Sequence, residues 1–359
     1  MKLRQSTVVG VAAAMVMGAT ALPASANVVT CNNSSLTNGT ISGDLRVPAG
    51  SFCVLDGVTV QGNVLVLREA DLLADGTTVG GNVEVRAEGY AEFADSSIAG
   101  DVTGQASFGQ VLFDTEIGGD IATRRNQFVF LLGGDLAGSM DIRAAVDART
   151  ETFVESLRVG GNLETNNNDF TDVFDSTIEG DLTIARAEQG SIFCTSEVDG
   201  NALFNLNRGT LQIGGDDCGP VYFGSDLQIS RHTGAPTLED TIVRGDLRCN
   251  GNTTAPTGTN VRVRGEAIGQ CADLGSSAFG MMAMSSDASV DVAEDRKAAA
   301  LEAFEARRAQ TERASVGALS MEGEPVVVPE SPIEGAQESL DEVRESRLDE
   351  ARAQVSNRR

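Results

Sequence analysis

Aromatic and metal-binding residues are scarce in this chain of 359 residues. It has no tryptophan, two tyrosines and a single histidine, His232, and it contains no CxxC pair. The scarcity disfavours a sugar-stacking groove and a histidine or cysteine metal site. Lysine occurs only as Lys2 and Lys297, and the formal net charge is −25. Such an acidic surface repels nucleic acid and anionic membranes, so we expect neither as a partner.

Long apolar runs are also missing, apart from one at the N-terminus. Lys2 and Arg4 precede the apolar stretch Val8–Ala21, and Ala24–Ala26 has the small residues of a cleavage site. This pattern predicts a secretory signal peptide over residues 1–26. No second run is long enough to span a membrane. We therefore expect a secreted protein, extracellular or in the cell envelope, which in a Gram-negative cell includes the periplasm.

Glycine, in contrast, is abundant and periodic. A column of glycines recurs at a nearly constant interval, and most of its members are followed by Asp or Asn. The column comprises Gly43, Gly62, Gly81, Gly100, Gly119, Gly138, Gly161, Gly180, Gly200, Gly245 and Gly265. A fixed period of about 19 residues is typical of solenoids, in which each repeat stacks on its neighbours.

Apolar residues lie two positions before and two positions after each glycine, as Val60 and Val64 do around Gly62. This spacing predicts strands. A third apolar group lies in mid-repeat: Val54, Leu73, Phe93, Leu112, Phe174 and Phe193. The pattern predicts an all-β parallel β-helix of about 12 coils, roughly 55 Å long. We expect right-handed coiling from the general rule that parallel crossovers are nearly always right-handed, and not from these residues.

The polar and glycine columns have predictable roles at the corners. We expect each glycine where a side chain would collide or where φ is positive. The neighbouring Asp or Asn is expected to bond to backbone groups of the turn. Two repeats are longer, which predicts loops around Asp147–Thr152 and Gly214–Pro220, the latter with adjacent acids Asp216 and Asp217.

The six cysteines fall into sequential pairs about one coil apart. They are Cys31 with Cys53, Cys194 with Cys218, and Cys249 with Cys271. Because adjacent coils bring such residues within disulfide distance, we predict three disulfides, one at each end of the rod and one beside the loop at Gly214–Pro220. We predict no metal and no cofactor.

The repeat pattern stops after Cys271. The predicted domains are the β-helix over 27–274, a linker over 275–290 and a charged tail over 291–359. Capping boxes predict two short helices in the tail, the first from Asp291 to about Arg313. The second begins at Ser339. The rest of the tail is expected to be loose.

Two blocks of sequence resemble a known group. They are the segment from Cys249 through Asn250–Gly258 to Gln270–Cys271, and the opening Cys31–Cys53 with Val47–Gly50 inside it. Both are similar to secreted bacterial β-solenoid proteins, common in actinobacteria, with V-x-G-N-V repeats. The repeat also resembles that of bactofilins, which lack a signal peptide and disulfides. The resemblance implies a fold and a location but no reaction.

Four functions remain open. The first is a secreted or cell-surface structural or adhesive rod without catalytic activity, with envelope polysaccharide or another surface component as partner. The second is a polysaccharide-binding or polysaccharide-degrading β-helix enzyme, which would need paired carboxylates. The third is ice binding through a column that begins Thr40, Thr59, Thr78 and Ser97. The fourth is calcium binding along the Asp/Asn column. The sequence leaves the oligomeric state open.

Overall fold

A computed structural model describes residues 27–145, 150–215 and 218–274. These residues form an all-β parallel solenoid of about 12 coils, as the period predicts, and none of them is helical. The predicted signal peptide and both predicted tail helices lie outside the described residues, as do Asp216 and Asp217. The domain limits and the handedness stay predictions.

The strands are short, mostly two to five residues long, and follow one another around each coil. In the first half of the rod they are β1 (Val28–Thr30), β2 (Ser34–Ile41), β3 (Asp44–Val47), β4 (Phe52–Val60), β5 (Val64–Val66), β6 (Asp71–Asp75), β7 (Thr78–Val79), β8 (Val83–Val85), β9 (Tyr90–Ala94), β10 (Ser97–Ile98), β11 (Val102–Gln105), β12 (Gly109–Ile117), β13 (Ile121–Arg124), β14 (Phe128–Leu136), β15 (Met140–Arg143) and β16 (Glu151–Glu155).

In the second half of the rod they are β17 (Arg158–Val159), β18 (Leu163–Asn166), β19 (Phe170–Phe174), β20 (Thr177–Ile178), β21 (Leu182–Ala185), β22 (Gly190–Cys194), β23 (Glu197–Val198), β24 (Ala202–Asn205), β25 (Thr210–Ile213), β26 (Val221–Phe223), β27 (Leu227–Ser230), β28 (Pro236–Glu239), β29 (Thr241–Val243), β30 (Leu247–Asn250), β31 (Thr257–Thr259), β32 (Arg262–Val263) and β33 (Ala267–Gly269).

Stacking of equivalent strands produces two parallel sheets. The first sheet has 13 strands and runs from β1 to β33, using the strand that follows each repeat glycine. The second sheet contains the other 20 strands. It includes the mid-repeat strands, which we call the long strands, and the short strands that precede each glycine. In β2, β4, β12 and β14 the two run together as one continuous strand.

Register is preserved from coil to coil. Leu45 pairs with Val64, and Val64 pairs with Val83, so the pairing advances by one repeat at each coil. The apolar columns on either side of the glycines all point into the solenoid, where side chains such as Val60 and Val64 are buried. The predicted core columns are therefore confirmed.

The glycine column lies where side chains would collide. A Cβ atom on Gly62 would come 2.7 Å from the carbonyl oxygen of Gly43, one coil earlier. None of these glycines has positive φ, so the collision, and not the backbone conformation, is what requires glycine there. Positive φ occurs instead at two other corners of the coil, where non-glycine residues such as Asp95 (φ 46°) and Arg125 (φ 61°) adopt it.

The mid-repeat apolar group does not form a single cluster. Phe93, Leu112 and Phe193 point into the solenoid core. Val54, Leu73 and Phe174 lie on the other side of the same sheet, in a second buried cluster. The long strands are therefore apolar on both faces, which removes the alternation that separates an inside from an outside in sequence.

In both long repeats the extra residues fall between two consecutive strands. The first insertion falls between β15 and β16. Thr152 already belongs to β16 and pairs with Val129, so the loop ends earlier than the predicted Asp147–Thr152. The second insertion falls between β25 and β26, within the predicted range Gly214–Pro220.

Candidate functional site: an outward acidic and aromatic face

The outer side of the long strands carries three parallel columns of side chains, which we call the outward face. The middle column runs over eight coils from β4 to β22. It comprises Val54, Leu73, Glu92, Val111, Phe130, Phe153, Asp172 and Ile192. One flanking column runs from Phe52 through Tyr90 to Phe170, and the other from Asp56 through Phe113 to Cys194.

Aromatic rings form a continuous stripe along this face. The ring centroids are 6.2 Å apart for Tyr90 and Phe108, and 5.3 Å apart for Phe108 and Phe128. The stripe continues from Phe128 to Phe130 (5.1 Å), to Phe153 (6.3 Å) and to Phe174 (5.4 Å). These spacings are those of interacting aromatic pairs. The ring of Phe128 lies over Gly109, where a Cβ atom would collide with it.

Carboxylates are set among these rings. Glu92, Glu155 and Asp172 belong to the outward columns and are buried. The Tyr90 hydroxyl donates to Glu92 Oε2 at 3.1 Å, and Asp172 Oδ1 accepts a hydrogen bond from the backbone N–H of Ile192 at 2.9 Å. Acidic and aromatic side chains are therefore combined on one face, with no Lys or Arg in its three columns.

The burial of the outward face distinguishes it from the rest of the surface. All eight side chains of its middle column are at most 5% exposed. On the first sheet, outward side chains such as Leu65, Thr103 and Leu203 are partly exposed, and Arg46 and Gln228 are exposed. Outward side chains of the first sheet are thus accessible to solvent, whereas the middle column of the outward face is not.

The Asp/Asn column forms a ladder of side-chain caps along one corner. In most members, Oδ1 accepts a hydrogen bond from the backbone N–H of the next member, as Asp101 does from Asp120 at 2.9 Å. The ladder also includes Ser139 and, in a coil where the glycine is replaced by Ser225, Asp226. In the described residues, no group of three or more His, Cys, Asp or Glu could hold a metal ion.

The disulfides connect neighbouring coils. Cys31–Cys53 and Cys249–Cys271 lie in the interior at the two ends, with Cα–Cα distances of 5.6 and 5.3 Å. Cys194–Cys218 (4.8 Å) belongs instead to the cluster of the outward face, next to the second insertion. Three intramolecular disulfides indicate an oxidising extracellular or envelope environment.

Titratable groups with shifted pKa values are scattered over the rod. Burial, and then the neighbouring Asp95, raises the pKa of Asp114. Burial, and then Asp199, raises the pKa of Glu197. Burial lowers the pKa of His232, against a hydrogen bond with the Gly209 carbonyl. Hydrogen bonds from the Glu266 backbone and from Arg248 lower the pKa of Asp246.

The threonine column considered for ice binding is in register. Thr40 pairs with Thr59, Thr59 with Thr78, and Thr78 with Ser97. The next three coils continue it with a Glu, an Asp and an Arg, so the hydroxyl array covers only four coils. Charges at those positions interrupt the flat, regular surface that ice binding needs.

Comparisons with known proteins identify no relative. No protein-family model matches the chain, and no curated protein or solved structure matches it. No helix among the described residues has the length and apolar character to cross a membrane. The fold and its three disulfides are consistent with an extracellular structural protein.

The sequence pattern did not reveal the outward face. Its acids and rings alternate two residues apart within single strands, as Tyr90 and Glu92 do in β9, but the columns that run over eight coils form only when the coils stack. A usable signal was present at the start of β14, where the five residues Phe-Val-Phe-Leu-Leu are all apolar. Such a run indicates a strand covered on both sides.

Proposed function

We propose that this protein is a secreted or cell-surface structural rod that adheres through its exposed faces to envelope polysaccharide or to another surface component. One observation carries the proposal: a single parallel register continues through about 12 coils. Because every coil bonds to its neighbours through backbone groups, the solenoid resists bending and presents its surface residues at fixed spacing.

Two further features support the same role. The capping ladder satisfies backbone groups at one corner along most of the rod, as in the pairs Asp44–Asn63 and Asp246–Glu266 near its two ends. The interior disulfides join the two coils at each end, where a solenoid would otherwise fray. The proposal includes the resemblance to secreted bacterial β-solenoid proteins, which implies the same fold and location.

The polysaccharide alternative has one observation in its favour, which is the combination of carboxylates and aromatic rings on the outward face. Sugars bind to such surfaces by stacking on open rings. The rings of Phe130, Phe153 and Phe174 are at most 3% exposed and offer no open surface. We therefore rank the structural rod first.

The test is retention of the purified secreted chain, with disulfides intact, on isolated cell envelope and on a panel of immobilised polysaccharides. The matched control is the same chain reduced and unfolded, which has the same composition and negative charge. Retention of the folded chain alone supports the rod and identifies its ligand class. A folded chain that neither binds envelope material nor self-assembles in sedimentation contradicts it. Release of reducing ends from a glycan would establish the enzyme instead.

A further inference from the structure

The outward face needs a layer above it. Its middle column is buried over eight coils, although outward side chains of the first sheet are partly or fully exposed. Every strand in the described part of the chain belongs to one of the two solenoid sheets, so none of these strands forms that layer. The segments outside residues 27–145, 150–215 and 218–274 are therefore the candidates for this layer.

We propose that the face is the docking site for the chain's own C-terminal segment 291–313, bound as an amphipathic helix. The chain continues beyond Leu274 as far as Arg359, and the first strong helix-start pattern in that stretch is at Asp291. Docking would place this helix along the rod, across the stacked long strands.

The dimensions of the segment and the face agree. Seven coil spacings separate β4 from β22, which is about 34 Å at ~4.8 Å per spacing. A helix of about 23 residues is about 34 Å long at ~1.5 Å per residue. The linker of about 16 residues between Leu274 and Asp291 can span up to about 50 Å when extended, which is enough to reach from the last coil to this face.

One side of the proposed helix complements the outward face in apolar and charged groups. In a helix, Lys297, Leu301, Phe304 and Arg308 lie at spacings of four, three and four residues and therefore share one side. Leu301 and Phe304 match the aromatic stripe, where ring pairs add to apolar burial. Lys297 and Arg308 match a face whose charged residues are all acidic: Asp56, Asp71, Asp75, Glu92, Glu151, Glu155 and Asp172. Glu294 and Glu312 share this side of the helix only in its first and last turns, so the two basic residues flank its apolar centre.

Buried carboxylates strengthen the electrostatic argument. Glu155 is 2% exposed and Asp172 is fully buried. Burying a carboxylate is costly unless a cation or hydrogen-bond donors accompany it. A helix that carries basic and apolar groups on one side would contact the carboxylates and the aromatic stripe of the face together. The second predicted tail helix, from Ser339, contains no aromatic residue.

The first experiment maps the contact by photo-crosslinking in the full secreted chain. The crosslinker p-benzoyl-phenylalanine replaces Phe304, and an equal mixture of ¹⁴N- and ¹⁵N-labelled copies is irradiated and analysed by mass spectrometry. The expected products join position 304 to peptides of β9–β19 within one copy. Products that join copies of different label would show a second copy as the occupant, and products on other faces, or none at all, would refute docking.

The second experiment disrupts the helix surface. The double variant Leu301→Asp/Phe304→Asp should speed hydrogen exchange in β9, β14 and β16 at least tenfold and increase binding of a hydrophobic dye. The first sheet should be unaffected, which shows that the solenoid still folds. The matched control, Leu340→Asp/Leu348→Asp, alters the second predicted helix and should change neither signal. An effect of the control alone would assign the face to that helix and overturn the proposal.

Discussion

The carboxylate of Asp181 accepts a hydrogen bond at 2.7 Å from the backbone N–H of Asn201, its counterpart in the next coil. The same Oδ1 accepts a second bond from the Asn201 side chain at 3.2 Å. Equivalent bonds link most successive coils, so the ladder caps one corner of the rod. Each member needs an oxygen acceptor and no particular charge, and either Asn or Asp can therefore occupy these positions.

Removing one acceptor should weaken the rod modestly. Asp181→Ala is expected to lower the free energy of unfolding by about 1 kcal/mol, because water replaces an exposed hydrogen bond only in part. Asp181→Asn keeps the acceptor and should cost less than half as much. Urea unfolding monitored by circular dichroism measures both variants. Equal losses would mean that the charge, and not the acceptor, stabilises this corner.

A methyl group in the glycine column should be costly. A Cβ atom on Gly119 would touch Asp101 Oδ1 and lie 2.7 Å from the backbone carbon of Gly100, one coil earlier. Gly119→Ala is expected to lower the free energy of unfolding by about 1–3 kcal/mol or to prevent folding, since the coils must separate locally.

The control for this variant is Gly39→Ala. Gly39 has ordinary φ, and a Cβ atom there meets nothing within 4 Å. Its melting temperature should stay within about 2 °C of the parent chain, because a surface change away from special features alters stability little. A Gly119→Ala protein that melts with the parent would show that coil spacing adjusts without strain.

His232 should make the rod sensitive to mild acid. Its side chain is 1% exposed, Nε2 lies 3.1 Å from the Gly209 carbonyl oxygen, and the buried Nδ1 has no hydrogen-bond partner. Burial lowers the pKa of His232 in the folded state, so the unfolded chain binds a proton first as the pH falls. Stability is then full above the unfolded pKa of about 6.5 and declines below it.

Melting temperatures between pH 7.5 and 5.5 provide the measurement. The parent chain should lose stability across this interval, whereas His232→Gln, which cannot become charged, should show a flatter profile. Comparing the slopes of melting temperature against pH removes any loss of stability that the substitution causes equally at every pH. Identical slopes in the two proteins would assign the acid sensitivity to other groups.

Loss of a terminal disulfide should act locally. Cys249→Ala/Cys271→Ala opens a loop of 22 residues in the last coils, and a crosslink of this length contributes about 3 kcal/mol. Since each coil contacts only its neighbours, hydrogen exchange should accelerate over residues 245–274 and remain unchanged in the central coils.

The matched variant at the other end is Cys31→Ala/Cys53→Ala. It should speed exchange in the first two coils and leave the C-terminal coils protected. Faster exchange through the whole rod in either variant would show that the solenoid unfolds as one cooperative unit and that its ends are not independent.

The sequence by itself determined the fold, the coil register and the core columns beside each glycine. These features depend on local chemistry repeated at a fixed period: Gly62 and Val64 have the same neighbours as Gly81 and Val83. The period also brings Cys31 close to Cys53. Because the same residue types recur at the same place in every coil, one sequence contains about 12 examples of each core and corner position. A single chain is therefore sufficient to identify these positions.

Only the tertiary structure decided which side of a long strand faces inward. Phe93, seven residues before Gly100, lies in the core, whereas Phe174, six residues before Gly180, lies on the outward face. Apolar residues cover both sides of these strands, so alternation carries no information there. Stacking of the coils then joins the rings of neighbouring strands into one stripe beside Glu92 and Asp172.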